Sequence, residues 1–172
     1  YWGSSDGYSP RRTTQLPTHF ARDVEIADLN RDEIPDILFA NQGGGEDPGG
    51  VLIYWGGESG EYSQASSTRL DGPGSAAVRA SDLNQDGWTE IVVANHKRSP
   101  SDSSTPSPCF IYWGSAEGFS EDRRSELPGW GARGVDVGDL DGDGQLDLVF
   151  ANEFGDASFI YWGSVGGFLP HR

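Results

Sequence analysis

The chain has 172 residues, with 12 basic against 27 acidic side chains and a formal net charge of −15. That balance excludes the basic footprint that nucleic acid or an anionic membrane surface requires, and no apolar run reaches the roughly 18 residues of a membrane span. A single cysteine, Cys109, excludes an intrachain disulfide and, with only three histidines, leaves too few soft ligands for a zinc cluster.

The length suffices for one domain with a sizeable core, and the 35% apolar content with 25 Gly and 10 Pro describes a turn-rich, all-β chain. Its start at Tyr1 rather than Met is the start expected of a processed or excised piece.

In chain order, the word YWG opens the sequence at Tyr1 and returns at Tyr54, Tyr112 and Tyr161. A glycine turn and an aromatic follow each time, and Tyr8, Tyr62, Phe119 and Phe168 are predicted to begin the next strand. The first such strand is YSPRRTTQL, closing on Leu16, with equivalents closing on Leu70 and Leu127. Next come VEIAD, VRASD and VDVGD, in which Val24 and Ile26, Val78 and Ala80, and Val135 and Val137 alternate with polar neighbours as in half-buried strands. Each runs into an acidic nine-residue segment, then into the β-rich words ending at Asn41, Asn95 and Asn152, and then into the next YWG strand. Four short antiparallel strands per period of about fifty residues describe a propeller blade. The predicted architecture is therefore three tandem four-stranded blade-like repeats at 20–70, 71–127 and 128–172, with 1–19 as the end of a preceding blade and an overlapping terminal strand in YWGSVGGFLPHR.

The acidic segments carry the chemistry. DLDGDGQLD places side-chain oxygens of Asp139, Asp141, Asp143 and Asp147 at positions 1, 3, 5 and 9 and the backbone carbonyl of Gln145 at position 7, with Gly144 at the bend. Calcium takes six to eight oxygens, and alternate carboxylates plus one carbonyl supply most of them. DLNQDGWTE repeats the pattern with Asp82, Asn84, Asp86, the Trp88 carbonyl and Glu90. DLNRDEIPD repeats it with Asp28, Asn30, Asp32, the Ile34 carbonyl and Asp36, but Glu33 stands where the bend favours glycine, so the first site is predicted to be the strained and weakest one. Position 12 is Phe39, Val93 or Phe150 rather than glutamate, which excludes an EF-hand. Three copies at a fixed period, each with an acid at position 9 that a simple turn does not require, favour calcium loops over polar turns.

Other candidates carry less. The tryptophans Trp2, Trp55, Trp113 and Trp162 read as packing within or between blades, and Trp88 as the better surface aromatic. GWGARG at 129–134 matches a dinucleotide fingerprint but precedes the strand VDV rather than a helix, so it is discarded. His19, His96 and His171 have no partner at a catalytic spacing, and Cys109 reads as a small strand residue. The Ser/Thr/Pro-rich stretch between Asn95 and Tyr112 is a candidate for O-glycosylation or mobility.

The three loops, the strand words after them and the YWG and glycine-aromatic words resemble the FG-GAP or VCBS repeats that build integrin α-subunit propellers and many bacterial secreted proteins. The resemblance implies an extracellular or cell-surface, non-catalytic calcium-binding module for adhesion, for recognition of a protein or glycan, or for self-assembly. Its alternative is an accessory propeller segment of a secreted carbohydrate-active enzyme. Three repeats fall short of the four to eight blades of a closed propeller, so the expected partners are further repeats of a longer chain or other copies of this one.

Overall fold

The computed structural model describes residues 3, 5, 7–9, 11, 13–96 and 106–168. Strands β1 (Ala21–Ala27), β2 (Asp36–Asn41), β3 (Gly50–Tyr54) and β4 (Ser67–Asp71) form one sheet in that order. Strands β5 (Ser75–Ser81), β6 (Glu90–Asn95), β7 (Cys109–Tyr112) and β8 (Arg124–Leu127) form a second, and β9 (Ala132–Gly138), β10 (Asp147–Asn152) and β11 (Phe159–Tyr161) a third. All pairings are antiparallel between chain neighbours, so each sheet is a meander.

The registers repeat. Ala27 pairs with Asp36, Ser81 with Glu90 and Gly138 with Asp147, which places each acidic segment at the tip of the first hairpin of its sheet. At the other end of the same hairpin the register slips at Ala21/Asp23, at Ser75/Ala77 and opposite Ala151/Asn152, equivalent places in the three sheets. A bulge there increases the local twist of the strand.

The core lies between sheets. One apolar cluster joins Leu38, Ala40, Val51, Ile53 and Leu70 of the first sheet to Val78, Ile91, Val93, Phe110 and Tyr112 of the second. The other joins Val92, Ala94, Cys109, Ile111 and Leu127 of the second to Val135, Leu148, Phe150 and Tyr161 of the third. Because successive side chains leave a strand on opposite faces, Ile91 and Val93 go to one cluster and Val92 and Ala94 to the other, and every residue of β6 is buried. Strands β1, β5 and β9 lie side by side, and Arg79 on β5 reaches Asp23 at 2.9 Å and Glu25 at 3.8 Å on β1 and Asp136 at 3.7 Å on β9.

Among the described residues the YWG tyrosines are buried and donate their hydroxyls to the backbone ahead of their own sheets: Tyr54 to the Pro17 carbonyl, Tyr112 to that of Asp71, the last residue of β4, and Tyr161 to that of Pro128. A phenol in the core requires such a partner. The following tryptophans are only partly buried, with the Trp55 and Trp113 indole N–H groups bonded across the hairpin to Thr68 and Ser125, both at 2.9 Å.

Two sequence expectations need correction. Residues 13–18 form no strand, although their equivalents are β4 and β8. An outer strand needs a neighbouring ladder to satisfy its backbone, as β3 and β7 do for β4 and β8. Tyr62 and Phe119 begin no strand either: a 3-10 turn, Gln64–Ser66 or Glu121–Arg123, comes first. The third sheet has three strands among the described residues. Most of the Ser/Thr/Pro-rich stretch, the word YW at the start of the chain and the last four residues lie outside the described residues. Among those described, no helix is long and apolar enough to cross a membrane.

Candidate metal centres

The three acidic segments fold alike, because the side chain at position 1 organises the backbone ahead of it. Asp28 accepts from the amides of Arg31, Asp32 and Glu33, at 2.7, 3.2 and 2.9 Å. Asp82 accepts from Asp86 and Gly87, and Asp139 from Gly142 and Gly144. Position 3 accepts from the amide at position 5 in all three, through Asn30, Asn84 and Asp141, and position 5 accepts from the amide at position 7 through Asp32, Asp86 and Asp143. The side chains at positions 1, 3 and 5 are thereby fixed on one side of a tight coil.

That coil takes two left-handed residues, not one. Position 6 has φ of 66° at Glu33, 88° at Gly87 and 86° at Gly144, and position 4 has φ of 65° at Arg31, 60° at Gln85 and 78° at Gly142. The sequence announced the bend at position 6 but not the one at position 4, where glycine occurs only in the third loop. Glu33 leaves the hydrogen bonding of the first loop intact while occupying a conformation that L-residues adopt at a cost.

The acid at position 9 is fully buried and uses both oxygens. Asp36 accepts from the amide of Leu29 and from that of Gly56, each at 2.9 Å. Glu90 accepts from Leu83 at 2.8 Å and Gly114 at 3.3 Å, and Asp147 from Leu140 at 2.9 Å and Gly163 at 2.8 Å. The second partner is always the glycine of YWG, so this carboxylate ties the loop to the third strand of its sheet. The glycine is needed for space: a Cβ there would lie 2.5 Å from the Pro35 carbonyl oxygen, 2.4 Å from that of Thr89 or 2.2 Å from that of Leu146. Sequence reading missed this pairing, although the recurrence of glycine after every Tyr-Trp was its visible trace.

Burial pushes the Glu90 carboxyl up to about 7 and raises Asp36 above the ordinary carboxylate range, against the opposing effect of the backbone amides that each accepts from. Positive charge close by favours the ionised form of such an acid. In the third loop ligand atoms of Asp139, Asp141 and Asp147 all lie within 4.8 Å of one another, the one such triad of metal-ligating residues among the described residues. Oxygen-only, anionic and preformed, this donor set suits a hard divalent cation. In the first and second loops the Asn30 and Asn84 amides instead donate at 2.9 Å to Asp32 and Asp86, so position 3 there offers one neutral oxygen and less charge.

The loops also touch one another. The Arg31 guanidinium lies 4.9 Å from the centre of the Trp88 ring, Thr89 donates to the Asp28 carbonyl at 3.3 Å, and the Gln85 amide donates to the Gly144 carbonyl at 2.8 Å.

Comparison with known proteins converges on these segments. The model of the FG-GAP-like repeat matches residues 28–93 and again 82–150, each match opening on position 1 of a loop. Human integrin alpha-6 is 32% identical over 123 residues, which cover 66% of this chain and 10% of that protein. The chain thus spans about a tenth of the length of that curated relative. By its two matches to the repeat model, its three-sheet architecture and this relative, the chain belongs to the FG-GAP-like repeat family.

Proposed function

We propose that the chain is an extracellular, non-catalytic recognition module whose three loops each hold one Ca²⁺ as a structural ion, and whose sheets are blades of a larger propeller completed by further repeats. The observation that carries this is the threefold recurrence of one coil, each copy closed by a buried position-9 acid, Asp36, Glu90 or Asp147, with ligand atoms of Asp139, Asp141 and Asp147 gathered within 4.8 Å of one another in the third loop. The ligands in the first loop are Asp28, Asn30, Asp32, the Ile34 carbonyl and Asp36; in the second Asp82, Asn84, Asp86, the Trp88 carbonyl and Glu90; in the third Asp139, Asp141, Asp143, the Gln145 carbonyl and Asp147. Calcium supplies positive charge opposite this cluster of carboxylates. Resemblance to integrin alpha-6 supports the surface location and adhesive role, with a protein or glycan as the ligand.

Magnitudes favour a structural ion. With dissociation constants of roughly 10⁻⁴ to 10⁻³ M at about 1 mM calcium, each site stabilises the fold by about 0.4 to 1.4 kcal/mol. Three together amount to a large part of a marginal stability of about 5 to 15 kcal/mol. Thermal melting with calcium and with chelator tests the reading. Calcium is expected to raise Tm by several degrees, and Asp143→Ala to remove about a third of that rise; coincident melting curves in calcium and chelator would sink the proposal.

A further inference from the structure

We propose that the calcium loops load as a coupled series, each sensing the next through the side chain at its fourth position. This rests on the calcium reading above and adds to it a line of communication between sites. The fourth residue is held left-handed, with φ of 65° at Arg31 and 60° at Gln85. In that conformation each side chain leaves its own loop for the following one, Arg31 meeting its positions 6 and 7 and Gln85 its position 6. Arg31 covers the ring of Trp88, and a Cβ on Gly87 would lie 3.5 Å from its guanidinium nitrogens. Gln85 donates to the carbonyl of Gly144. Contact also runs backwards, since Thr89 at position 8 of the second loop donates to the carbonyl of Asp28, which opens the first.

These contacts fall on the part of each loop that an ion fixes. Positions 6 and 7 form the bend and carry the carbonyl ligand, so loading one loop holds in place the acceptor or ring that the preceding loop uses. A ligand that orders a partner lowers the cost of the next binding event, and the effect is reciprocal. The series ends at the third loop, where position 4 is Gly142 and has no side chain to extend it. The second and third loops are joined by the Gln85 hydrogen bond, and the first and second by the stacked Arg31 cation and the Thr89 hydrogen bond, so the two links can be cut separately.

Calorimetric calcium titration of the full chain tests the second link. Asp32→Ala silences the first loop and leaves a two-site protein; adding Asp143→Ala or Asp86→Ala leaves the second or third loop alone. The two-site protein is expected to bind its pair of ions about fivefold more tightly than the product of the single-loop affinities, the factor that one net hydrogen bond supplies. Gln85→Gly removes the side chain while relieving the left-handed backbone, and is expected to return that factor to one without loss of melting temperature. Independent binding in the two-site protein, or a factor that survives Gln85→Gly, overturns the coupling and leaves the calcium sites standing. No binding by any of these proteins overturns the calcium reading and the coupling with it.

Discussion

At the scale of single residues, the three loops form a graded series written in their left-handed positions. The first has two non-glycine residues there, Arg31 and Glu33, the second has Gln85 alone, and the third has none. Relief of left-handed strain contributes about 1 to 2 kcal/mol per residue, while glycine adds unfolded-chain entropy that costs about 0.4 to 1. The difference sets the prediction: Glu33→Gly raises stability in chelator by about 0.5 to 1 kcal/mol by urea unfolding, and tightens calcium binding at the first loop. Glu90 gives a second prediction, with the sign fixed by burial. Its folded-state value of about 7 lies above the ordinary 4.5, so in chelator its contribution is fully present below pH 4.5 and is lost as pH rises through 7. The metal-free protein is therefore expected to lose stability across that window, and Glu90→Gln to flatten that part of the profile. On the proposed calcium reading the ion binds the ionised form, so loading at about pH 6 is expected to release a proton that loading at about pH 8 does not. Buffer-dependent calorimetric heats measure that release.

Among the elements, what ties loop to strand is a carboxylate and a missing methyl group. The carbonyl of position 8 lies 2.2 to 2.5 Å from where a Cβ on the YWG glycine would be, so Gly114→Ala cannot be accommodated without moving the Thr89 peptide and with it the end of the second acidic loop. We predict a loss of about 2 to 3 kcal/mol, in the range of overpacked cores, together with weakened calcium binding; alanine tolerated on both measures removes this link. Elements such as this mark the limit of what the sequence discloses. The alternation of Val24, Ile26, Val78, Ala80, Val135 and Val137, the strand words after each loop and the spacing of the acids could be read directly, because each is a local period. The left-handed position 4 could not, since Arg31 and Gln85 are neutral letters there. Nor could the glycine pairing or the tyrosine bonds to Pro17, Asp71 and Pro128, whose partners lie more than fifteen residues away along the chain. The strand expected in YSPRRTTQL failed for a related reason: its pattern matches β4 and β8, but pattern alone supplies no neighbouring ladder.

For the whole molecule, the two internal interfaces show what the two end faces lack. Val78 and Ala80 on β5 pack towards the first sheet, and Val135 and Val137 on β9 towards the second, whereas the equivalent Val24 and Ile26 on β1 are 49% and 65% exposed. At the opposite end Leu140 is 53% and Ile160 37% exposed, while their equivalents Leu83 and Ile111 are 5% and 0% exposed. One end thus presents the face that the other is built to receive, and a contact of this head-to-tail kind repeats until a ring closes or continues as a fibre. Three sheets do not close, so in isolation the 18.6 kDa chain is expected to associate through these faces. Light scattering in calcium should give a mass that rises with concentration, and Val24→Lys with Ile160→Lys should return it to that of one chain with the calcium-dependent melting unchanged. A well-folded, calcium-loaded monomer at every concentration would instead assign both faces to further repeats of one longer chain, because apolar faces equivalent to two buried interfaces still need neighbours.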